Sequence, residues 1–214
     1  MKENLEKVRP EEIEARSFAI ISEELGERKF LPGTEGIIKR CIHTSADFDY
    51  AENLCFSEDA VKKALDAIRG GASIVTDTQM AKAGINKRAL SKWGGQVHCF
   101  MSDEDVAKTA REEGVTRASI SMRKAAQRGE PFLYAIGNAP TALITLYDLI
   151  QEKKTEPLLV IGVPVGFVNV VQSKEMIMEA GVPYIVARGR KGGSNIAACI
   201  VNALLYMLDD RRLL

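Results

Sequence analysis

The chain has 214 residues, of which 46% are hydrophobic and 27% charged, and its 29 Lys and Arg residues are balanced by 29 Asp and Glu residues. This composition is typical of a folded globular protein and excludes an intrinsically disordered chain. The balanced charge also argues against a nucleic-acid or membrane-surface partner, since both usually require an excess of basic residues.

Hydropathy and cysteine spacing argue against a membrane protein, a secreted protein and a zinc protein. No apolar run approaches the roughly 20 residues that cross a bilayer, and the first sixteen residues are charged where a secretory signal would be apolar. We therefore expect a cytoplasmic protein that forms a single domain over residues 1–214. Without a CxxC pair, the cysteines predict buried thiols and neither a disulfide framework nor a zinc site; they are Cys41, Cys55, Cys99 and Cys199.

Two amphipathic helices are predicted at the start of the chain. In residues 9–25, Pro10 suits a first helical turn, and isoleucine and leucine recur at helical spacing after it. In residues 34–48, one side of the second helix is apolar, with Ile37, Ile38, Cys41 and Ile42. Arg40, His43 and Asp47 share the other side, where side chains three or four residues apart face one another.

The rest of the chain alternates between strand and helix patterns. Short β-rich runs occur at residues 73–77, 97–100, 131–137, 157–162 and 183–188. Helical patterns occur at residues 57–69, 102–114, 116–129, 138–149, 172–181 and 195–208. This alternation predicts an α/β fold, a three-layer domain whose mostly parallel sheet is covered by helices on both faces.

The loops that leave the strands are the expected ligand site, because ligands of such sheets bind beyond the carboxyl ends of the strands. These loops read TDTQM, GNAPTA, GVPVGFVN and ARGRKGGSN. The last one leads into a helix and could present free N–H groups to an anion, although a solvent-facing connector is equally compatible with the pattern. It has neither P-loop nor GxGxxG spacing, so a nucleotide is disfavoured.

Two histidines compete for an acid–base role. His43 lies on a polar helix stripe and can titrate near neutral pH, although a solvated surface histidine fits the same pattern. His98 lies within an apolar strand, which favours a structural role. The cationic candidates are Arg40, Lys87, Arg88, Arg117 and Arg190, which would suit a ligand with several carboxylates if they converge.

Several long segments resemble one family. IEARSFAIISEE, IIKRCIHTSADFDY, TDTQMAKAGINKR, TRAS, GNAPTAL, GVPVGFVNVVQSKE and GRKGGSNIAACIVNALLY follow one another from about residue 13 to residue 208. Together they are similar to the precorrin-8 methylmutases, also called cobalt-precorrin-8 methylmutases or precorrin isomerases. The sequences TDTQMAKAGINKR and HTSADFDY are more similar to those of the members that act on a cobalt-containing substrate.

The resemblance implies a homodimeric isomerase of cobalamin biosynthesis that moves a methyl group from ring carbon eleven to ring carbon twelve of a corrinoid with multiple carboxylates. It implies no cofactor and no protein-bound metal, since any cobalt arrives inside the substrate, and hand-over of the product to the next pathway enzyme is an open option. His43 corresponds to the family's proton donor and acceptor. Our own hypothesis is that Arg40 or Asp47 tunes its pKa. Further substrate-binding candidates lie in matching motifs; they are Ser17, Arg40, Asp77, Gly84, Arg88, Arg117, Asn138 and Arg190.

Two other functions remain open from the residues alone. A non-catalytic corrinoid or tetrapyrrole carrier would keep the pocket without needing His43. An α/β transferase that holds a phosphate on the glycine-rich loop would need a nucleotide fingerprint, which the sequence lacks.

Overall fold

A computed structural model of the chain describes residues 6–209. Six strands in the described range form one sheet in the order β1-β6-β5-β4-β2-β3. The strands are β1 (Leu54–Phe56), β2 (Ile74–Thr76), β3 (Val97–His98), β4 (Leu133–Ile136), β5 (Leu159–Gly162) and β6 (Tyr184–Ala187). All neighbouring pairs are parallel except β1 and β6, which are antiparallel. The loops after β2, β4, β5 and β6 therefore leave the sheet at one edge.

Helices surround the sheet, connected by short loops. Within residues 6–209 they are α1 (Ile13–Leu25), α2 (Glu35–Ser45), α3 (Tyr50–Asn53), α4 (Ala60–Arg69), α5 (Gln79–Gly84), α6 (Lys87–Ser91), α7 (Glu104–Glu113), α8 (Arg117–Ala126), α9 (Pro140–Gln151), α10 (Val170–Glu179) and α11 (Ser194–Leu208). Local chemistry accounts for several starts: the Thr116 side chain accepts a hydrogen bond from Ser119 N, and Pro140 occupies the first turn of α9.

The core has two halves, one on each face of the sheet. Alternate residues of a strand point to opposite faces, so Leu133 and Ala135 of β4 pack with α2, α4 and α11, whereas Tyr134 and Ile136 pack with α7, α8, α9 and α10. Every residue of β4 is buried. This arrangement confirms the prediction of a mostly parallel sheet covered on both faces. None of the helices in the described range is long and apolar enough to span a membrane.

The structure corrects four details of the predicted elements. Strand β1 was not predicted, and the run at residues 97–100 is a strand over Val97–His98 alone. The TDTQM segment, which was expected to be a loop, contains the start of the short helix α5, and the short helix α6 at Lys87–Ser91 was not predicted. The second predicted helix ends at Ser45, because Ala46 adopts a left-handed conformation (φ 53°), so Asp47 is not on that helix.

Candidate functional site

The loop after β4 is held to the end of β2 by a buried carboxylate. Asp77 follows β2 and is 0% exposed. Its oxygens accept hydrogen bonds from three successive backbone groups, Gly137 N at 2.9 Å, Asn138 N at 2.8 Å and Ala139 N at 2.6 Å. Burial raises the pKa of Asp77, and the three N–H donors oppose that rise. The carboxylate thus fixes the loop that presents the exposed side chain of Asn138.

The glycine-rich loop after β6 packs closely against the loop after β5. Gly193 N donates to the Val163 carbonyl at 2.9 Å. Gly192 has a φ of 157°, and a Cβ there would lie 2.0 Å from the same carbonyl oxygen. Only glycine fits this approach, because any side chain would collide with backbone.

A buried lysine that the sequence analysis missed holds the same loop. Lys174 of α10 is 0% exposed, and its Nζ donates to the carbonyls of Gly189 at 2.8 Å and Lys191 at 2.9 Å. Burial lowers the pKa of Lys174 to about 8. Nothing in the helical pattern of residues 172–181 distinguishes this lysine from a solvent-facing one, so sequence reasoning had no signal for it.

The loops after β5 and β6 bring a cation next to exposed apolar side chains. Arg190 lies over the ring of Phe167 at 5.4 Å from its centroid. Phe167 and Val168 are 80% and 79% exposed. A guanidinium beside an open aromatic surface can contact a ligand that is both anionic and apolar.

Four helices begin at this edge of the sheet. The Thr78 and Ser194 hydroxyls, at the starts of α5 and α11, are 2.8 Å apart. The Thr116 and Thr141 hydroxyls, at the starts of α8 and α9, are also 2.8 Å apart. Helix N-termini carry partial positive charge, and the exposed Arg117 is the first residue of α8. The edge is therefore suited to a ligand with negative groups.

A cleft of about 400 Å³ separates α2 from the starts of α5 and α11. Its lining residues are Arg40, Thr44, Met80, Gly84, Asn195, Ala198, Cys199, Asn202 and Tyr206. Gly84 allows α5 to approach α11, since a Cβ at this position would lie 2.9 Å from the Ala198 Cβ. Because Met80 and Asn195 belong to the first turns of α5 and α11, the cleft continues into the carboxyl edge of the sheet.

Aromatic rings hold the arginine of this cleft in place. The Arg40 guanidinium lies 5.0 Å from the ring centroids of both Phe18 and Tyr206. Its Nη1 donates to Glu14 Oε1 at 2.6 Å, while Nε is buried without a partner among the described residues. The guanidinium is thereby oriented before a ligand binds.

His43 is exposed and lies beside this arginine. Its ring stacks on Phe18 with centroids 5.2 Å apart. The prediction that Asp47 shares a helix side with His43 and Arg40 is wrong. The Asp47 carboxylate lies beyond α2 and pairs with Lys191 Nζ at 2.7 Å. This ion pair instead connects the end of α2 to the glycine-rich loop. An acid–base side chain, a fixed cation and the loop edge therefore lie on neighbouring elements.

The remaining candidates lie at the periphery. Ser17 is half-buried on α1, and its hydroxyl donates to the Ile13 carbonyl at 2.9 Å. Arg88 is exposed on α6 and does not line the cleft. The His98 ring stacks on Phe100 with centroids 6.0 Å apart and meets Phe132 edge-on at 5.9 Å, as a structural residue would. Across residues 6–209, no three His, Cys, Asp or Glu side chains form a potential metal site.

Fold and site together define an α/β protein whose carboxyl sheet edge is suited to an anionic, partly apolar ligand. A family model described as "Precorrin-8X methylmutase" matches residues 12–207. The chain is 47% identical to the cobalt-precorrin-8 methylmutase of Salmonella typhimurium, over 94% of this chain and 97% of the relative. It is 44% identical to the enzyme of the same name from Priestia megaterium, over 95% and 90%.

A solved structure, titled as the precorrin-8x methyl mutase of Thermus thermophilus, superposes with a TM-score of 0.85. The two are 37% identical, and the match covers 93% of this chain and 98% of that one. The chain therefore belongs to the precorrin-8X methylmutase family. It is an isomerase of cobalamin biosynthesis, and these relatives favour the enzyme over the non-catalytic carrier.

Proposed function

We propose that the chain converts cobalt-precorrin-8 to cobyrinate by moving a methyl group from ring carbon eleven to ring carbon twelve. The choice of the cobalt-containing substrate is supported by the names of the relatives, since those at 47% and 44% identity are both cobalt-precorrin-8 methylmutases. The cobalt belongs to the substrate, so the protein itself supplies binding groups and a proton.

His43 is the proposed acid–base residue. Its imidazolium protonates a ring nitrogen next to the migrating carbon, which withdraws electron density from the macrocycle. The bond from the methyl to carbon eleven then breaks as the bond to carbon twelve forms, and the neutral imidazole takes the proton back. No atom or electron is gained or lost overall. The observation that supports this role is the exposed ring of His43, which stacks on the same Phe18 that orients Arg40, a residue of the cleft wall.

The substrate carboxylates are proposed to bind the arginines around the site. Arg40 lines the cleft. Arg117 is the first residue of α8, and Arg190 lies over Phe167 on the glycine-rich loop. The exposed apolar side chains at 167 and 168 would cover the face of the ring. Ser17, Gly84, Arg88 and Asn138 remain proposed contacts.

Asp77 has a different proposed role. Its two oxygens are already occupied by three backbone N–H groups and are closed to solvent. We therefore propose that it is a positioning residue that holds Asn138 towards the substrate, and that it does not contact the substrate itself.

The test follows the ultraviolet–visible spectrum of cobalt-precorrin-8, and separately of its metal-free counterpart, with wild type and with His43→Asn. Migration changes the conjugated system, so the spectrum reports turnover. We expect catalytic conversion by wild type and a loss of at least about 100-fold in His43→Asn, the usual contribution of a positioned proton donor. His98→Phe, which replaces the other histidine and keeps an aromatic ring at that position, is the matched control and should retain turnover.

Two outcomes would contradict the proposal. A spectral change that stops at one equivalent of protein and is the same in His43→Asn would indicate a carrier. Faster turnover of the metal-free substrate would retain the isomerase and reverse the assignment of the cobalt substrate.

A homodimer is proposed from the family resemblance. The exposed apolar residues Val165, Phe167 and Val168 on the loop after β5 offer surface that a partner or the substrate would cover. Light scattering on the purified chain should give twice the monomer mass, and a monomer would contradict the proposal. A cytoplasmic location and the hand-over of product to the next enzyme are also proposed, and cell fractionation and transfer kinetics would test them.

A further inference from the structure

Two thiols from neighbouring helices meet at the wall of the cleft. Cys199 of α11 is partly exposed and lines the cleft beside Arg40 and Thr44 of α2. Cys41, on the inner side of α2, is 0% exposed. Cys199 is therefore the more accessible of the two cysteines.

The contacts around Cys199 favour its thiolate. Thr44 Oγ1 donates a hydrogen bond to Cys199 Sγ at 3.1 Å. Cys41 lies one turn before Thr44 on α2, in the core cluster against which Cys199 packs. Its interaction with Cys199 is the main reason that the pKa of Cys199 is below its ordinary value; Thr44 and the Arg40 guanidinium add to this effect, and burial opposes it. Correspondingly, the bond to Cys199, together with burial, raises the pKa of Cys41. Reactive cysteines share this combination of donors, a nearby cation and partial exposure.

We propose that Cys199 is a peroxide-reactive thiol and that Cys41 is its resolving partner, so that the cleft wall is a site of reversible disulfide formation. The Cys199 thiolate attacks hydrogen peroxide, which gives a sulfenic acid and releases hydroxide. The Cys41 thiol then attacks the sulfenic sulfur, so that the S–S bond forms and water leaves. The two cysteines lose two electrons, which the peroxide accepts.

This site has a direct consequence for the cleft. The disulfide would link α2 to α11, the two helices that form the walls of the cleft. It would also remove the thiolate that accepts the Thr44 hydrogen bond. A ligand that fills the cleft should therefore protect Cys199. The thiol chemistry can be measured without turnover, so it stands or fails separately from the proposed isomerase activity.

The first experiment compares the alkylation rates of individual cysteines by iodoacetamide, measured by peptide mass spectrometry on the full chain. Cys55 is the internal control, since it is also partly exposed and burial raises its pKa. The pKa of Cys199 is lowered and that of Cys55 is raised, so we expect Cys199 to hold more thiolate and to react several-fold faster than Cys55. Thr44→Val, an exposed substitution of similar shape, should slow Cys199 and leave Cys55 unchanged. Equal rates at the two cysteines would overturn the proposal.

The second experiment treats the folded chain with hydrogen peroxide. We expect the wild type to lose two hydrogen atoms and to yield a linked peptide pair that contains Cys41 and Cys199, reversible by dithiothreitol. In Cys41→Ala, Cys199 should instead gain oxygen atoms. If that variant does not fold, the wild-type peptide map still decides the matter, because no link, or a link through Cys55 or Cys99, would refute the pairing.

Discussion

Asp77→Asn removes the charge that holds the loop after β4. The wild-type carboxylate accepts hydrogen bonds from Gly137 N, Asn138 N and Ala139 N, at 2.6 to 2.9 Å. An amide has one acceptor oxygen, and its NH2 group would face at least one of these donors. The substitution keeps the size of the side chain, so the loss of acceptors is the main change.

The expected cost follows from these contacts. A buried donor that loses its partner costs about 1–3 kcal/mol, and a hydrogen bond that loses its charge becomes weaker. Part of this cost is offset, because the variant no longer buries a carboxylate whose pKa burial raises. We expect a net loss of about 2–4 kcal/mol in the free energy of unfolding. For a chain of this size this lowers Tm by roughly 5–15 °C.

Chemical denaturation followed by circular dichroism measures this loss, with Asp66→Asn as the matched control. The Asp66 side chain is 57% exposed and pairs with Arg69 one turn away, so its removal should cost less than about 0.5 kcal/mol. Equal losses in the two variants would refute the role given to Asp77. At temperatures where Asp77→Asn is folded, its KM should rise more than its kcat falls, since the displaced loop presents Asn138.

Two further predictions concern the glycine-rich loop. Gly192→Ala would place a Cβ against the Val163 carbonyl oxygen, so we expect a loss of about 3 kcal/mol or more in unfolding free energy. The control is Gly114→Ala, which has a φ of 67° and open space around it and should lose only about 1–2 kcal/mol. Equal losses in the two variants would contradict the close approach of Gly192 to Val163. For Lys174, burial lowers the folded-state pKa to about 8 from 10.5, so its destabilising effect is fully present below about pH 8 and is relieved as the pH rises towards 10.5. The unfolding free energy of wild type relative to Lys174→Met should therefore increase between about pH 8 and pH 10, and a constant difference would contradict the assignment.

Local patterns in the sequence were sufficient to predict the layers of the fold. Continuous apolar runs such as that around β4 predicted strands buried on both faces, and the structure confirms this burial. Thr116 and Pro140 stand at helix starts, where side-chain capping and a fixed φ are favourable without any distant contact. Such preferences act within a few residues and are therefore readable from the chain alone.

Elements that are stabilised by residues distant in sequence could not be predicted from local patterns. Strand β1 has three residues and exists through its pairing with Ile185, Val186 and Ala187 of β6. The end of α2 likewise depends on a left-handed residue, and the partner of Asp47 is Lys191, far away in sequence. Strand β2 is equally short but consists of three β-branched residues, whereas β1 has none, so only the tertiary structure determines β1.

The polar residues of the site show the same division. The sequence alone determined that Asp77, His43 and the glycine-rich loop lie in segments characteristic of the family and at the ends of elements. Only the tertiary structure turned Asp77 inward to three backbone donors and buried Lys174 beneath the glycine-rich loop. The physical reason is that the local sequence around a charged residue is the same whether its side chain is solvated or buried. Burial is favourable only where the completed fold leaves backbone groups that the charge can hydrogen-bond.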